Sequence, residues 1–188
     1  MSDVIRGTVT PTDTEAIRLD ASTHGLLTID YVHHEIHAGS HFYVTGHTIL
    51  ADEGILRVKL VTPDSAAFAH FRWGISSSGI LQTSLYEDAS GGMAGGAGVT
   101  IFNNNRNSAK VSGLILTSGV AAADTAGTLI DDAKWGTTGF KVNIGGGASR
   151  DDEIVLKRNT TYLRVFTSGA ADNIVQFRAS WYEHTDRD

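Results

Sequence analysis

Histidine is the residue type in this chain with the clearest capacity for chemistry. Six of the eight histidines fall within 24 residues, and they are His24, His33, His34, His37, His41 and His47. Imidazole nitrogens are common zinc ligands, and strand positions two residues apart can converge on one ion. If the segment HHEIH forms a strand, His33, Glu35 and His37 lie on one sheet face. These three residues are therefore the metal-ligand candidates.

A metal site built in this way needs a further ligand from a distant strand. Only His70 or His184 is left to supply it, which would make the chain a cupin-like metal-binding protein. The short spacing of the cluster matches no established ligand pattern. Metal binding is thus one hypothesis among several, and the sequence assigns no cofactor.

The same histidines can instead serve a packed polar surface or a subunit interface. Buried imidazoles in such places are hydrogen-bonded to carboxylates or backbone groups. The interface candidates are His34, His41, His47, Phe42 and Tyr43. If histidine pairs face each other between subunits, acidification would charge them and loosen the assembly.

The sequence offers little support for other kinds of catalytic or ligand-binding site. It has no cysteine, no GxSxG nucleophile elbow and no phosphate-binding spacing in the glycine loop GGMAGGAG (91–98). The run 151–153 (Asp-Asp-Glu) lacks EF-hand spacing and is predicted to be a solvated turn. No catalytic residue is assigned, so the chain is predicted not to be an enzyme. Aromatic residues that could stack on a sugar are Trp73, Trp135, Trp181, Tyr182 and Phe42.

The elements that position these residues are predicted to be strands. Residues 27–34 alternate with period two, Ala38-Gly39-Ser40 suits a turn, and residues 42–45 are β-branched and aromatic. The stretch 26–48 is therefore predicted to be a β-hairpin or a corner between sheets.

Further strands are predicted along the rest of the chain, with turn signals between them. They cover residues 55–61, 68–75, 80–86, 99–102, 111–117, 128–130, 154–156, 162–166 and 174–182. In the last of them, one alternating set is apolar and the other is mostly polar, as in a half-buried strand. The pattern predicts an all-β fold, an antiparallel β-sandwich resembling a jelly roll. One domain would cover residues 21–188, with residues 1–20 as an extended N-terminal arm.

Composition excludes several classes of protein. The net charge is −6 with no block of Lys or Arg, so a nucleic-acid partner is not expected. No apolar run approaches a membrane span, and no signal peptide is visible at the start. A soluble product made in a cytoplasm is expected.

Four segments carry a resemblance to known sequences. They are HHEIHAGSHFYVTGH (33–47), introduced by THGLLTIDY, then FNNNRNS (102–108), RDDEIVLKRNTTYLRVFTSGAADN (150–173) and WYEHTD (181–186). These strings resemble a family of tailed-bacteriophage virion structural proteins, and the similarity covers most of the chain from about Ala21 onward.

The resemblance implies a virion component, most simply a head decoration (cement) protein on the major capsid protein shell of the phage head. Such proteins are commonly β-sandwich domains that form homo-oligomers, often trimers, and the resemblance transfers no catalytic residue. The N-terminal arm and the glycine-rich loops would be contact elements. The alternatives are a tail, baseplate or fibre component that binds host glycans, and the cupin-like metal protein.

Overall fold

The computed structural model describes residues 6–10, 13–16, 31–136, 144–146 and 152–185. A short helix, α1 (Tyr31–Ala38), precedes a series of strands. The strands are β1 (Arg6–Thr10), β2 (Asp13–Ala16), β3 (His41–Leu50), β4 (Ile55–Val61), β5 (Phe68–Ser77), β6 (Leu81–Glu87), β7 (Ala97–Gly98), β8 (Phe102–Asn103), β9 (Ile115–Ser118), β10 (Thr128–Trp135), β11 (Ile144–Gly146), β12 (Ile154–Leu156), β13 (Thr161–Ser168) and β14 (Asn173–His184).

The chain divides into two compact units, Met1–His34 and Glu35–Asp188. In the first unit, β1 and β2 pair antiparallel with Arg6 opposite Ala16. The N-terminal arm predicted over residues 1–20 is described only in these two strands. The strand predicted at 27–30 lies outside the described residues.

Two antiparallel sheets make up the second unit. Sheet I has the order β10-β6-β13-β4-β9-β7. Sheet II has the order β11-β5-β14-β3-β8, and β12 pairs with β5 as well. In sheet II, β14 lies between β3 and β5 along its length, so that Trp181 is opposite both Phe42 and Phe71.

The hydrophobic core fills the space between sheets I and II. It is built from alternate side chains of both sheets, including Phe42, Val44, Val58, Leu60, Phe71, Leu81, Leu85, Leu116, Phe166, Val175, Phe177 and Trp181. Phe166 of sheet I stacks on Phe177 of sheet II at 5.7 Å between ring centroids. The predicted all-β antiparallel sandwich is thereby confirmed.

Strand β14 follows the alternation that its sequence predicts. Val175, Phe177, Ala179 and Trp181 are buried, whereas Ile174, Gln176 and Arg178 are exposed. A side-chain period of two on a strand with one buried face dictates this pattern.

Of the hairpin predicted over residues 26–48, the second arm at 42–45 is confirmed within β3, but the first arm is wrong in its described part, because Tyr31–Ala38 is helical. Gly39 ends the helix at φ +73°. Its N–H donates to the Ile36 carbonyl at 3.1 Å, and the Ser40 N–H donates to the Glu35 carbonyl at 2.9 Å. These two hydrogen bonds form the Schellman motif, in which glycine takes the left-handed position. No helix within the described ranges is long and apolar enough to cross a membrane.

Most other predicted strands are confirmed, with shifted ends. The strand predicted at 99–102 is wrong for residues 99–101, since only Phe102 belongs to a strand, β8. The strand predicted at 111–117 is confined to β9. The strand predicted at 128–130 instead continues to Trp135 as the edge strand β10.

The glycine loop packs on the outer side of sheet I. The Ser90 N–H donates to the Thr125 carbonyl at 2.9 Å and the Met93 N–H donates to the Ala122 carbonyl at 3.0 Å. A second hydrophobic cluster lies beneath this loop, and its buried members are Ala89, Val120 and Leu163. Met93 of the loop packs against this cluster, so the loop has hydrophobic contacts of its own.

One charged side chain lies between the sheets. Arg164 is buried, donates to Thr83 Oγ1 at 2.7 Å and pairs with the carboxylate of Asp131. Burial lowers the pKa of Arg164, and the hydrogen bond to Asp131 acts against this change. The ion pair joins β13 to the edge strand β10 across β6.

Three glycines allow the helix stop to be tested by alanine substitution. Gly39→Ala places a methyl group in a left-handed backbone and 2.2 Å from Ser108 Oγ, so a loss of at least ~2 kcal/mol in unfolding free energy is expected. Gly95→Ala has the same backbone strain (φ +74°) in open space and should lose about 1 kcal/mol. Gly98→Ala has neither problem and should be close to neutral.

Urea unfolding of the three variants measures these differences. Equal losses at Gly39 and Gly98 would contradict the helix stop described above.

Candidate functional site

Three of the eight histidines and two polar neighbours lie close together at one end of sheet II. This end is formed where β3 and β5 begin and β14 finishes. The register places Tyr182 opposite both His41 and His70, and cross-strand partners share a face of the sheet. The name histidine cluster is used here for His41, His70, His184, Tyr182 and Glu153.

The rings of the histidine cluster form a continuous row. His70 stacks on Tyr182 with ring centroids 4.5 Å apart and planes at 13°. His184 lies 4.5 Å from His70 on one side, and His41 lies 6.5 Å from Tyr182 on the other. The row crosses three strands, so it ties their ends together.

Glu153 holds the centre of this row. Its Oε1 atom accepts hydrogen bonds from the Tyr182 hydroxyl at 2.7 Å and from His70 Nδ1 at 2.8 Å. The side chains of His70 and Glu153 are only 16% and 13% exposed. The prediction of a solvated turn is therefore wrong for Glu153. Asp151, in the same run, lies outside the described residues.

The side chains of His70 and His184 are in direct contact. Their Nε2 atoms are 2.7 Å apart, and His184 Nδ1 is 3.0 Å from the Thr185 carbonyl, which can only accept. His70 therefore lies in hydrogen-bonding distance of both the Glu153 carboxylate and the ring of His184.

The surroundings of His41 disfavour its charged form. It is 3% exposed, and Asn104 Nδ2 donates to its Nδ1 atom at 2.7 Å. Burial, followed by the charges of Arg72 and Arg178, lowers the pKa of His41 to about 4 from an ordinary value of 6.5; Glu35 and Glu153 act in the other direction. His41 is consequently neutral near pH 7.

The asparagine loop fastens the end of α1 to sheet II. Asn103 Nδ2 donates to the Gly39 carbonyl at 2.8 Å, and Asn105 Nδ2 donates to the His37 carbonyl at 3.1 Å. The Asn104 N–H donates to the His41 carbonyl at 2.9 Å. Carbonyls at the end of a helix need such donors. The segments FNNNRNS and HHEIHAGSHF are therefore in direct contact.

A second group of hydrogen bonds lies on the inner side of the same end. Glu183 Oε1 accepts from Trp181 Nε1 at 2.9 Å, and Glu183 Oε2 accepts from the Gly113 N–H at 3.1 Å. Ser112 Oγ accepts from Trp181 Nε1 at 3.1 Å and donates to Glu183. The segment WYEHTD thus contributes to both faces of the sheet end.

The metal candidates do not share a strand face, because their segment is the helix α1. Positions i and i+4 of a helix share a face, whereas i+2 lies on the opposite side. His33 and His37 are exposed, and Glu35 is buried. Within residues 31–136, 152–185 and the short described strands, no group of three or more His, Asp or Glu side chains is placed to hold a metal ion.

The interface candidates occupy different places. His41 and Phe42 are buried, and Phe42 belongs to the core. Tyr43 and His47 lie on the outer face of sheet II, where His47 is exposed, and His34 is exposed on α1. Of the aromatic residues proposed for sugar stacking, Phe42, Trp181 and Tyr182 are buried, while Trp73 and Trp135 pack against the core.

Sequence reasoning missed the roles of Glu153 and Asn104 and treated His70 and His184 only as distant metal ligands. The pairing of Tyr182 with both His41 and His70 brings these residues together, and it depends on the strand register. A polar loop residue such as Asn104 carries no sequence signal for the partner it will meet. The sequence feature that pointed to this site was the clustering of histidines near residue 41.

Comparison with protein-family models, with curated proteins and with solved structures gives no match for this chain. A proposal for its function therefore depends on its own sequence and geometry.

The buried neutral His41 should make stability depend on pH. Because its pKa is about 4 when folded and 6.5 when unfolded, the unfolded chain binds the proton more readily between these values. Unfolding free energy should fall as pH drops from 6.5 to 4, by about 2 kcal/mol after allowance for solvent screening. His41→Gln should lose this part of the pH dependence. Urea unfolding at pH 4.5 and pH 7 measures both slopes, and identical slopes would count against a neutral His41.

His70→Ala should destabilise the fold, because it removes the hydrogen bond to Glu153 Oε1, the contact with His184 Nε2 and the stacking on Tyr182. We expect a loss of about 2 kcal/mol in unfolding free energy. His47→Ala, on the same sheet face but exposed, is the control and should change it by less than about 0.5 kcal/mol. A similar small effect for both variants in urea unfolding would refute the structural role of the cluster.

Proposed function

We propose that this chain is a non-enzymatic structural protein of a tailed-phage particle, a head decoration protein that binds the assembled shell. The sequence resemblance to virion proteins supports the class of protein. The composition of one sheet face supports the mode of action, which is docking on another protein surface.

The observation that carries the proposal is the outer face of sheet II. On its three long strands, the alternate residues that point outward include no Asp, Glu or Lys. These residues are His41, Tyr43, Thr45, His47 and Ile49 on β3; Phe68, His70, Arg72, Gly74 and Ser76 on β5; and Ile174, Gln176, Arg178, Ser180, Tyr182 and His184 on β14.

This composition is that of a protein interface. Interfaces are depleted in Lys, Glu and Asp and enriched in aromatic residues and Arg, whereas ordinary surfaces are not. Ile49 and Ile174 are direct cross-strand neighbours on this face and are 65% and 47% exposed. An exposed pair of this kind would be covered when the face meets a partner.

The histidine cluster supports the same proposal. Its rings stack on each other, and His70 forms hydrogen bonds with Glu153 and His184 of the same chain. These contacts hold the ends of β5, β12 and β14 in place. A sheet held in this way offers a rigid face, and a rigid face loses little conformational entropy on docking.

Docking of this kind stabilises a particle by mass action. A protein that binds the assembled shell but not separate shell subunits shifts the equilibrium toward the shell. A copy that bridges neighbouring shell subunits would also require several contacts to break before any one subunit moves outward. Copies that associate with each other, as in a trimer, would strengthen this effect.

The glycan-binding alternative has less support from the geometry. Stacking on a sugar needs an open ring face. The aromatic residues considered for this role are buried or packed against the core, as described above.

Two matched variants test the proposal. Each purified protein is mixed with assembled heads that do not carry this chain, and the bound fraction is measured by cosedimentation. Ile49→Glu places a charge on the outer face of sheet II and should weaken binding to the heads at least tenfold. Ile115→Glu is the control, because Ile115 is 61% exposed on sheet I, and it should leave binding unchanged. Failure of the wild-type protein to bind heads would refute the proposed function.

A further inference from the structure

The outer face of sheet II has a pair of neighbouring aromatic rings, and a guanidinium group lies over each ring. Arg178 Cζ lies 4.4 Å from the centre of the Tyr43 ring, and Arg106 Cζ lies 5.3 Å from the centre of the Phe102 ring. The Tyr43 and Phe102 rings are 5.6 Å apart. The name arginine–ring ladder is used here for Arg178, Tyr43, Phe102 and Arg106.

Strand register builds this ladder. Phe102 on β8 is the cross-strand partner of Tyr43 on β3. Arg178 on β14 is opposite Thr45, two residues from Tyr43 on the same face, which is a diagonal contact within reach of a long side chain. Arg106 comes from the asparagine loop that follows β8.

The aromatic rings position the two guanidinium groups, but no carboxylate of the described residues neutralises their charge. Both arginines are exposed, and within the described part of the chain neither is paired with a carboxylate. Stacking on a ring holds the planar guanidinium while leaving its N–H groups free to form hydrogen bonds at the edge. That geometry suits bidentate recognition of a carboxylate.

We infer that the arginine–ring ladder recognises carboxylates on an acidic protein surface, which in the proposed function belongs to the assembled shell. The inference rests on that function for the identity of the partner. Charge complementarity supports it, because Arg72, Arg106 and Arg178 give this face a positive charge in a chain of net charge −6.

Other polyanions fit the ladder less well. Nucleobases and sugars bind aromatic residues through an open ring face. Here a guanidinium group lies over each ring, 4.4 Å from the centre of Tyr43 and 5.3 Å from the centre of Phe102, and would have to move before a base or a sugar could stack on that face. The net negative charge of the chain also opposes long-range attraction to nucleic acid.

An apolar contact accompanies the charged one. Ile49 lies six residues from Tyr43 along β3, about 20 Å away at the usual rise of an antiparallel strand. The partner surface should therefore carry carboxylates at one end and an apolar patch at the other. A span of this length is that of an ordinary protein–protein interface.

Substitution of the two arginines by lysine tests whether binding depends on the planar shape of the guanidinium groups or only on their charge. In the double variant Arg106→Lys, Arg178→Lys, the charge is kept but the planar fork is lost, and binding to assembled heads should weaken at least tenfold. Arg57→Lys on sheet I is the control and should bind as the wild type does. The thermal midpoints of all three proteins should agree to within a few degrees. Wild-type affinity in the double variant would overturn the inference while leaving the proposed function in place.

A second measurement does not need the heads. Isotope-labelled protein is titrated with a glutamate decapeptide, a thymidine decanucleotide and a heparin oligosaccharide at equal ionic strength. The inference predicts that the Nε–H signals of Arg106 and Arg178 move most with the glutamate peptide. Preference for the nucleotide or the heparin fragment, or no movement with any of the three, would overturn it. This result stands even if the wild-type protein fails to bind heads.

Discussion

The structure of the second unit depends on the antiparallel pairing of β14 with β3 on one side and β5 on the other. This pairing extends over the whole of β14, from Asn173 to His184. Since side chains alternate along a strand, the register decides at once which residues enter the core and which face outward. A shift of one residue would expose Trp181 and bury Arg178, so the core holds the register firmly.

The register of β14 also decides which side chains lie together on the outer face of sheet II. With Phe42, Phe71 and Trp181 fixed inside, the register brings Tyr182 between His41 and His70 and sets Tyr43 beside Phe102. Hydrogen bonds from the asparagine loop then fasten α1 to the same end of the sheet.

The sequence predicted the strands better than it predicted the site. Alternation in β14 and β4 is visible because each strand has one buried face, and the sandwich follows from the number of such strands. The helix α1 was missed because residues 31–34 also alternate, and Gly39 fits a turn as well as a helix stop. Glu153 was assigned to solvent because its partners, His70 and Tyr182, are 83 and 29 residues away. Long-range register, which local patterns do not encode, decides such contacts.

The central claim is that the chain acts by docking the outer face of sheet II on an assembled shell. Cryo-electron microscopy of the intact particle tests it most directly. The account predicts density for this chain on the head, with Tyr43, Arg178 and Ile49 turned toward a shell subunit. Density in the tail, or density on the head with this face turned to solvent, would contradict it.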